Sequence, residues 1–231
     1  MAEGERTGEL QRRAAVELQT LLGRVVERGV GPLQGSTGYA EDRLRRARRN
    51  GRSGEQASEA AIRRIVREAV GAAGTTGLVT GLGGLVTMPV TVPASLGGNF
   101  LINARMVGAI AYLRGYSLTD PHVQAMIGLV VAGARIEKMA AEFGVKVGQQ
   151  AIQKAAIKAA CHAIEAVPVV VIDKVGIRVG YLLVARYGTI RMAAAVYNVV
   201  PILGGLAGGA VDASFTRATG AFAMKAFPRD I

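Results

Sequence analysis

Tryptophan is missing from this chain of 231 residues, cysteine occurs once, histidine twice, and lysine not at all in the first 68 positions. Each absence removes a class of function. A lone Cys161 forms no internal disulfide and no cysteine-based zinc cluster, and it fits a reducing compartment. His122 and His162 belong to no ligand motif. Adjacent helical residues point about 100° apart, so Cys161 and His162 do not readily share a metal. No serine carries the flanking glycines of a nucleophile elbow. The stretch GLGGLV has Val86 where a dinucleotide fingerprint needs its third glycine, and no Gly-Lys-Ser or Gly-Lys-Thr loop is present to hold phosphates. With no catalytic set, metal site or cofactor site to assemble, the sequence points to a non-enzymatic protein.

Aromatic residues are also scarce. Phe and Tyr total 11 although half the residues are apolar, so the interior must be built from Ala, Val, Leu, Ile and Gly. A chain of this length buries an adequate core without staples. The amino terminus is charged from its third residue and lacks the apolar stretch of a secretory signal, which predicts a cytoplasmic protein.

What is present is positive charge at the front. The formal net charge is +11, and residues 1 to 68 hold 14 Arg against 10 acids. Leu10, Ala14, Leu18, Leu21, Leu22, Val25 and Val26 recur at helical spacing, predicting an amphipathic helix. A Gly/Pro-rich linker is expected near residues 29 to 40, and residues 1–54 read as an Arg-rich amphipathic arm that can move. Six Arg lie between positions 43 and 52, and NGRSG then supplies a turn. In SEAAIRRIVREAV, Ile62, Ile65, Val66, Ala69 and Val70 share a helical face that Arg63, Arg64 and Arg67 avoid. That pattern fits a core helix with a solvated basic face, and it also fits a helix lying on a membrane surface. Arg45, Arg46, Arg48, Arg49, Arg63 and Arg64 are the candidate membrane- or anion-binding residues. Nucleic acid fits poorly, because Tyr39 is the only aromatic residue in this region and no helix-turn-helix or zinc-finger signature accompanies the charge.

The run from Ala69 to Ala104 has no charge, and Pro89 and Pro93 divide it into two helices rather than one span. No interfacial Trp or Tyr flanks it. Gly77, Gly81 and Gly84 continue a stripe begun at Gly71 and Gly74, and Gly204 and Gly208 repeat the spacing, so these glycines are expected to line close helix packing. Asp120 followed by Pro121 marks a helix start. Downstream, residues 149 to 168 and the Val-rich stretch from 169 both read as helix. The fold class is therefore all-α: an antiparallel multi-helix bundle with glycine-rich, close-packed helices. Asp212 is expected to need a buried partner, with Arg105 the preferred cation. Gly51, in the turn, is expected to accept a larger side chain.

With these residues in view, the sequence resembles the EcsC protein family over most of residues 55–228. The likeness falls on GLVTGLGGLVTMPVTVPASL, on RMVGAIAYLRGYSLTDP with Arg105, Ile110, Ala111, Gly115, Tyr116, Asp120 and Pro121, and on VPILGGLAGGAVDASFT with Pro201, Gly204, Gly205 and Asp212. The founding member is linked genetically to an ABC transporter. The resemblance thus implies a bacterial accessory protein, peripheral to the inner face of the cell membrane, whose partner is an anionic membrane surface or a transporter-like membrane protein. It supplies no catalytic residue. A soluble, self-assembling helical scaffold with no membrane role is the alternative, and a homo-oligomer is compatible with either.

Overall fold

The structure, a computed structural model, describes residues 2–83, 97–134, 164, 168–197 and 201–229. Among the described residues it is an all-α bundle of seven helices. These are α1 (Ala2–Glu27), α2 (Ser36–Arg49), α3 (Gly54–Gly83), α4 (Gly97–Leu113), α5 (Pro121–Ala132), α6 (Val169–Tyr197) and α7 (Pro201–Ala226). The Val-rich segment read from sequence as helix forms α6.

In α1 the apolar face buries Leu18, Leu21, Leu22, Val25 and Val26 against α4, α5 and α6. Leu10, expected on that face, is 66% exposed. Residues 8–13 are all exposed, so the helix runs on past the core that would cover them. The linker expected near residues 29 to 40 is not an open loop. A small antiparallel hairpin, β1 (Gly29–Val30) and β2 (Leu33–Gln34), turns the chain, and α2 starts at Ser36. One hydrophobic cluster takes in residues of α1 and α2 together with those of α3 to α7. Residues Leu18 to Val26 of α1 and Tyr39 and Ala40 of α2 thus share a core with the later helices.

Local chemistry explains the helix ends. Asp120 caps α5, accepting from the His122 backbone N–H at 2.8 Å, with Pro121 in the first turn. Gly133, at φ 61°, stops α5 in the left-handed conformation. Gly51, at φ 77°, reverses the chain between α2 and α3. Its surroundings are open, yet an L side chain is strained there whatever the space, which corrects the expectation that it is freely replaceable.

The most extensive helix pairing among the described residues is α3 on α7. A Cβ on Gly74 would already touch Ala213 Cβ at 3.6 Å and the Gly209 carbonyl at 3.7 Å, whereas Gly71 faces open space. Gly84 lies outside the described residues. So do the surroundings of Gly77 and Gly81 in α3 and of Gly204 and Gly208 in α7.

Candidate functional site

Two features hold α2 in place. At its start, buried Ser36 donates to the Arg105 carbonyl of α4 at 3.1 Å and rests on Gly108, where a Cβ would lie 2.4 Å from Ser36 Oγ. Along its length, Ala47 packs on Ala57 and Ala60 of α3. Alanines let two Arg-bearing helices approach closely while their long side chains extend sideways to water.

The result is a cleft of about 190 Å³ whose floor is Ala47 and Ala60 and whose walls are Arg43 and Arg46 of α2 and Arg63, Arg64 and Arg67 of α3, with Asn50 and Arg52 from the turn that joins them. Glu68 is the carboxylate that offsets this charge. Its Oε2 accepts from Arg43 Nε at 2.8 Å and from Tyr39 Oη at 2.9 Å, and its Oε1 accepts from Arg64 Nε at 2.8 Å. Burial works to raise the Glu68 pKa, but hydrogen bonds from Arg64, Arg43 and Tyr39 outweigh it and hold the group below the usual carboxylate range. Arg46, Arg52, Arg63 and Arg67 have no acidic partner among the described residues. Four guanidinium groups thus face one concavity uncompensated, an arrangement that concentrates field and attracts anions.

A second cavity, of about 430 Å³, adjoins the first through Arg43 and is lined also by Gln34, Tyr39, Glu68 and Arg105. Both guanidinium groups lie over the Tyr39 ring, Arg43 at 4.1 Å and Arg105 at 4.2 Å from its centre. One face has no room for both, so the phenol is held between them. Burial, then the Glu68 charge and hydrogen bond, push the Tyr39 pKa up to about 12, against the opposing pull of Arg105 and Arg43.

Of the six arginines singled out from sequence, the structure brings Arg46, Arg63 and Arg64 together in the cleft. Arg45 is exposed and turned to its own helix, paired with Asp42 and, at 3.6 Å, with Glu41. Arg48 and Arg49 are exposed outside the cleft. Sequence reasoning missed Arg43, Arg52 and Arg67 as members of the site, and Tyr39 and Glu68 as its organisers. Tyr39 could be noticed as the lone aromatic of the first 68 residues, but Glu68 is one of several acids there, and its role has meaning only once α2 lies on α3.

Arg105 and Asp212 are not brought together. Asn103 of α4 reaches Thr216 of α7 at 3.3 Å. Arg105, two residues on, points about 200° round the helix toward α2 instead. Asp212 lies half-buried near Asn99, and burial raises its pKa against the easing effect of that amide.

On the apolar face of α3, Ile62, Ile65 and Ala69 are buried in the core, while Val66 and Val70 are half-buried.

The family model of the EcsC protein family matches residues 55–229. The chain belongs to the EcsC protein family. No curated protein and no solved structure shows a match to it. The EcsC region opens in the first turn of α3, so Arg63, Arg64 and Arg67 fall within it while Arg43, Arg46 and Arg52 come from the segment ahead. The cleft is built across that boundary.

Proposed function

We propose that this EcsC protein is a non-enzymatic accessory protein that attaches peripherally to the anionic inner face of the cell membrane, electrostatically, through the arginine surface of α2 and α3. The observation that carries the reading is the set of four cleft arginines that have no acidic partner among the described residues. Arg48 and Arg49 extend the charge onto the adjacent surface. Each Arg close to an anionic surface contributes about 1 kcal/mol, and the attraction decays over roughly 8 Å at physiological salt. The mode is attachment by charge rather than insertion. No described helix is long and apolar enough to cross a membrane, and Ile62, Ile65 and Ala69 on the apolar side of α3 are buried in the core. A transporter-like membrane protein presenting acidic groups would be met by the same surface.

Membrane fractionation and vesicle co-sedimentation test this. Release by a salt wash and loss of binding when Arg46, Arg48, Arg49, Arg63, Arg64 and Arg67 become Gln are expected. Extraction only by detergent, or equal binding to neutral and anionic vesicles, would overturn the electrostatic mechanism. A wholly soluble, self-associated pool would favour the scaffold instead.

A further inference from the structure

Resting on that reading, we infer that the α2–α3 cleft is a discrete receptor for one dianionic phosphate, the terminal phosphomonoester of a lipid headgroup, rather than one patch of a diffusely basic surface. A diffuse surface needs only charge density. Here the charge is folded into a concavity. Arg43 and Arg46 of α2 and Arg63, Arg64 and Arg67 of α3 line it together with Arg52 of the connecting turn, over Ala47 and Ala60, and the lining includes no carboxylate.

Size narrows the ligand. At about 190 Å³ the cleft is smaller than the roughly 300 Å³ or more of small-molecule pockets. That volume suits a single phosphoryl group. Chemistry narrows it further. Arg guanidinium forks bind phosphate oxygens in bidentate fashion. A phosphodiester offers two charge-bearing oxygens and one negative charge. A phosphomonoester offers three terminal oxygens and a charge of about −1.5 to −2 at neutral pH. Four guanidinium groups with no acidic partner among the described residues call for the second.

Position supplies the membrane geometry. Arg48 and Arg49 are exposed at the end of α2, beside the cleft but outside it. They can meet neighbouring headgroups while the cleft takes one. Arg43 and Arg64 are already held by Glu68 at 2.7 and 2.8 Å, so these two walls are set before a ligand arrives.

The test uses the full chain and phosphatidylcholine vesicles containing either phosphatidic acid, a phosphomonoester, or phosphatidylglycerol, a phosphodiester, at matched surface charge. Binding to the phosphatidic acid vesicles should be roughly tenfold tighter, the scale set by charge-assisted bidentate bonds. Free pyrophosphate should remove this preference at concentrations where an equal ionic strength of chloride does not. Arg63→Gln with Arg67→Gln should abolish the preference, while Arg48→Gln with Arg49→Gln, an equal loss of charge, should weaken binding to both vesicles and keep it. All four arginines are exposed, so helicity by circular dichroism should be unchanged in both variants. Equal affinity for both lipids at matched charge would overturn the receptor while leaving peripheral attachment standing. Binding to neither would overturn attachment itself. Binding of free pyrophosphate without binding to phosphatidic acid vesicles would overturn the lipid source and assign the site to a soluble phosphate.

Discussion

The α2–α3 seam and the α4–α7 seam solve opposite problems. Between α2 and α3 small alanines pack together, Tyr39 and Arg43 hydrogen-bond Glu68 beside them, and the arginines without an acidic partner among the described residues lie at the rim in water. Between α4 and α7 the polar groups are inside. Asn99, Asn103 and Thr216 are buried, joined by Asn103 Nδ2 to the Asn99 carbonyl at 2.9 Å and by Thr216 Oγ1 to Asn99 Oδ1 at 3.3 Å, while Asn103 Oδ1 is left without a partner among the described residues. An unpaired guanidinium in water costs little. An unpaired amide atom in a core costs about 1–3 kcal/mol. The first seam therefore holds binding capacity at small cost to stability, and the second fixes which helix faces meet.

The largest break should come from Gly108→Leu. Its side chain would occupy the place of Ser36 and Val26, lifting α2 from α4 at a cost of about 3 kcal/mol. Thermal unfolding should show it, with the cleft lost at the same time. Next, Asn103→Ala removes the link from α4 to Thr216 and should cost about 2 kcal/mol in denaturant unfolding. A matched truncation at the rim, Arg63→Ala, should stay within about 0.5 kcal/mol. If the two cost the same, the contrast between the seams is wrong.

Two smaller effects sharpen the comparison through pH. Asp212 is raised by burial, so its charged form is disfavoured in the fold. That cost is absent below its unfolded pKa and complete above its folded one. Asp212→Asn should therefore stabilise the protein at neutral pH, with the gain shrinking as pH falls toward 4, the ordinary Asp value being about 3.9. Glu68 has the opposite sign. Its lowered pKa contributes stability above the ordinary carboxylate range that disappears as pH falls through the lowered value. Glu68→Gln should be destabilising at neutral pH and converge on wild type in acid. Parallel curves for either variant would mean that the group does not titrate differently on folding.

What the sequence made legible follows from the range of each cause. The Asp120–Pro121 start of α5 depends on neighbours two residues apart and could be read directly. So could the burial of Ile62 and Ile65 opposite Arg63 and Arg64, because helical period alone separates them. The hairpin at 29–34 escaped because each strand is two residues long, too short for any alternation to register. The arginine run from 43 to 52 was plain, but membership of the cleft depends on rotation about the helix. Arg45 and Arg46 are neighbours in sequence, yet only Arg46 enters the cleft. Pairing Asp212 with Arg105 failed because opposite charge was the only criterion available, while the actual neighbour of Arg105 is the face of a neutral ring.

Alanine at the bottom of the cleft has a consequence for how tightly anything there is held. Ala47 and Ala60 have no rotatable side-chain bond to freeze, so the ordering cost of binding falls on the arginine walls alone. Of these, Arg43 is already immobilised against Tyr39 and Glu68. Arg46, Arg52, Arg63 and Arg67, exposed in the structure, are the walls that still lose rotamer freedom on binding. Calorimetry should accordingly find association driven by enthalpy against that ordering cost, with a small change in heat capacity because almost no apolar area is covered.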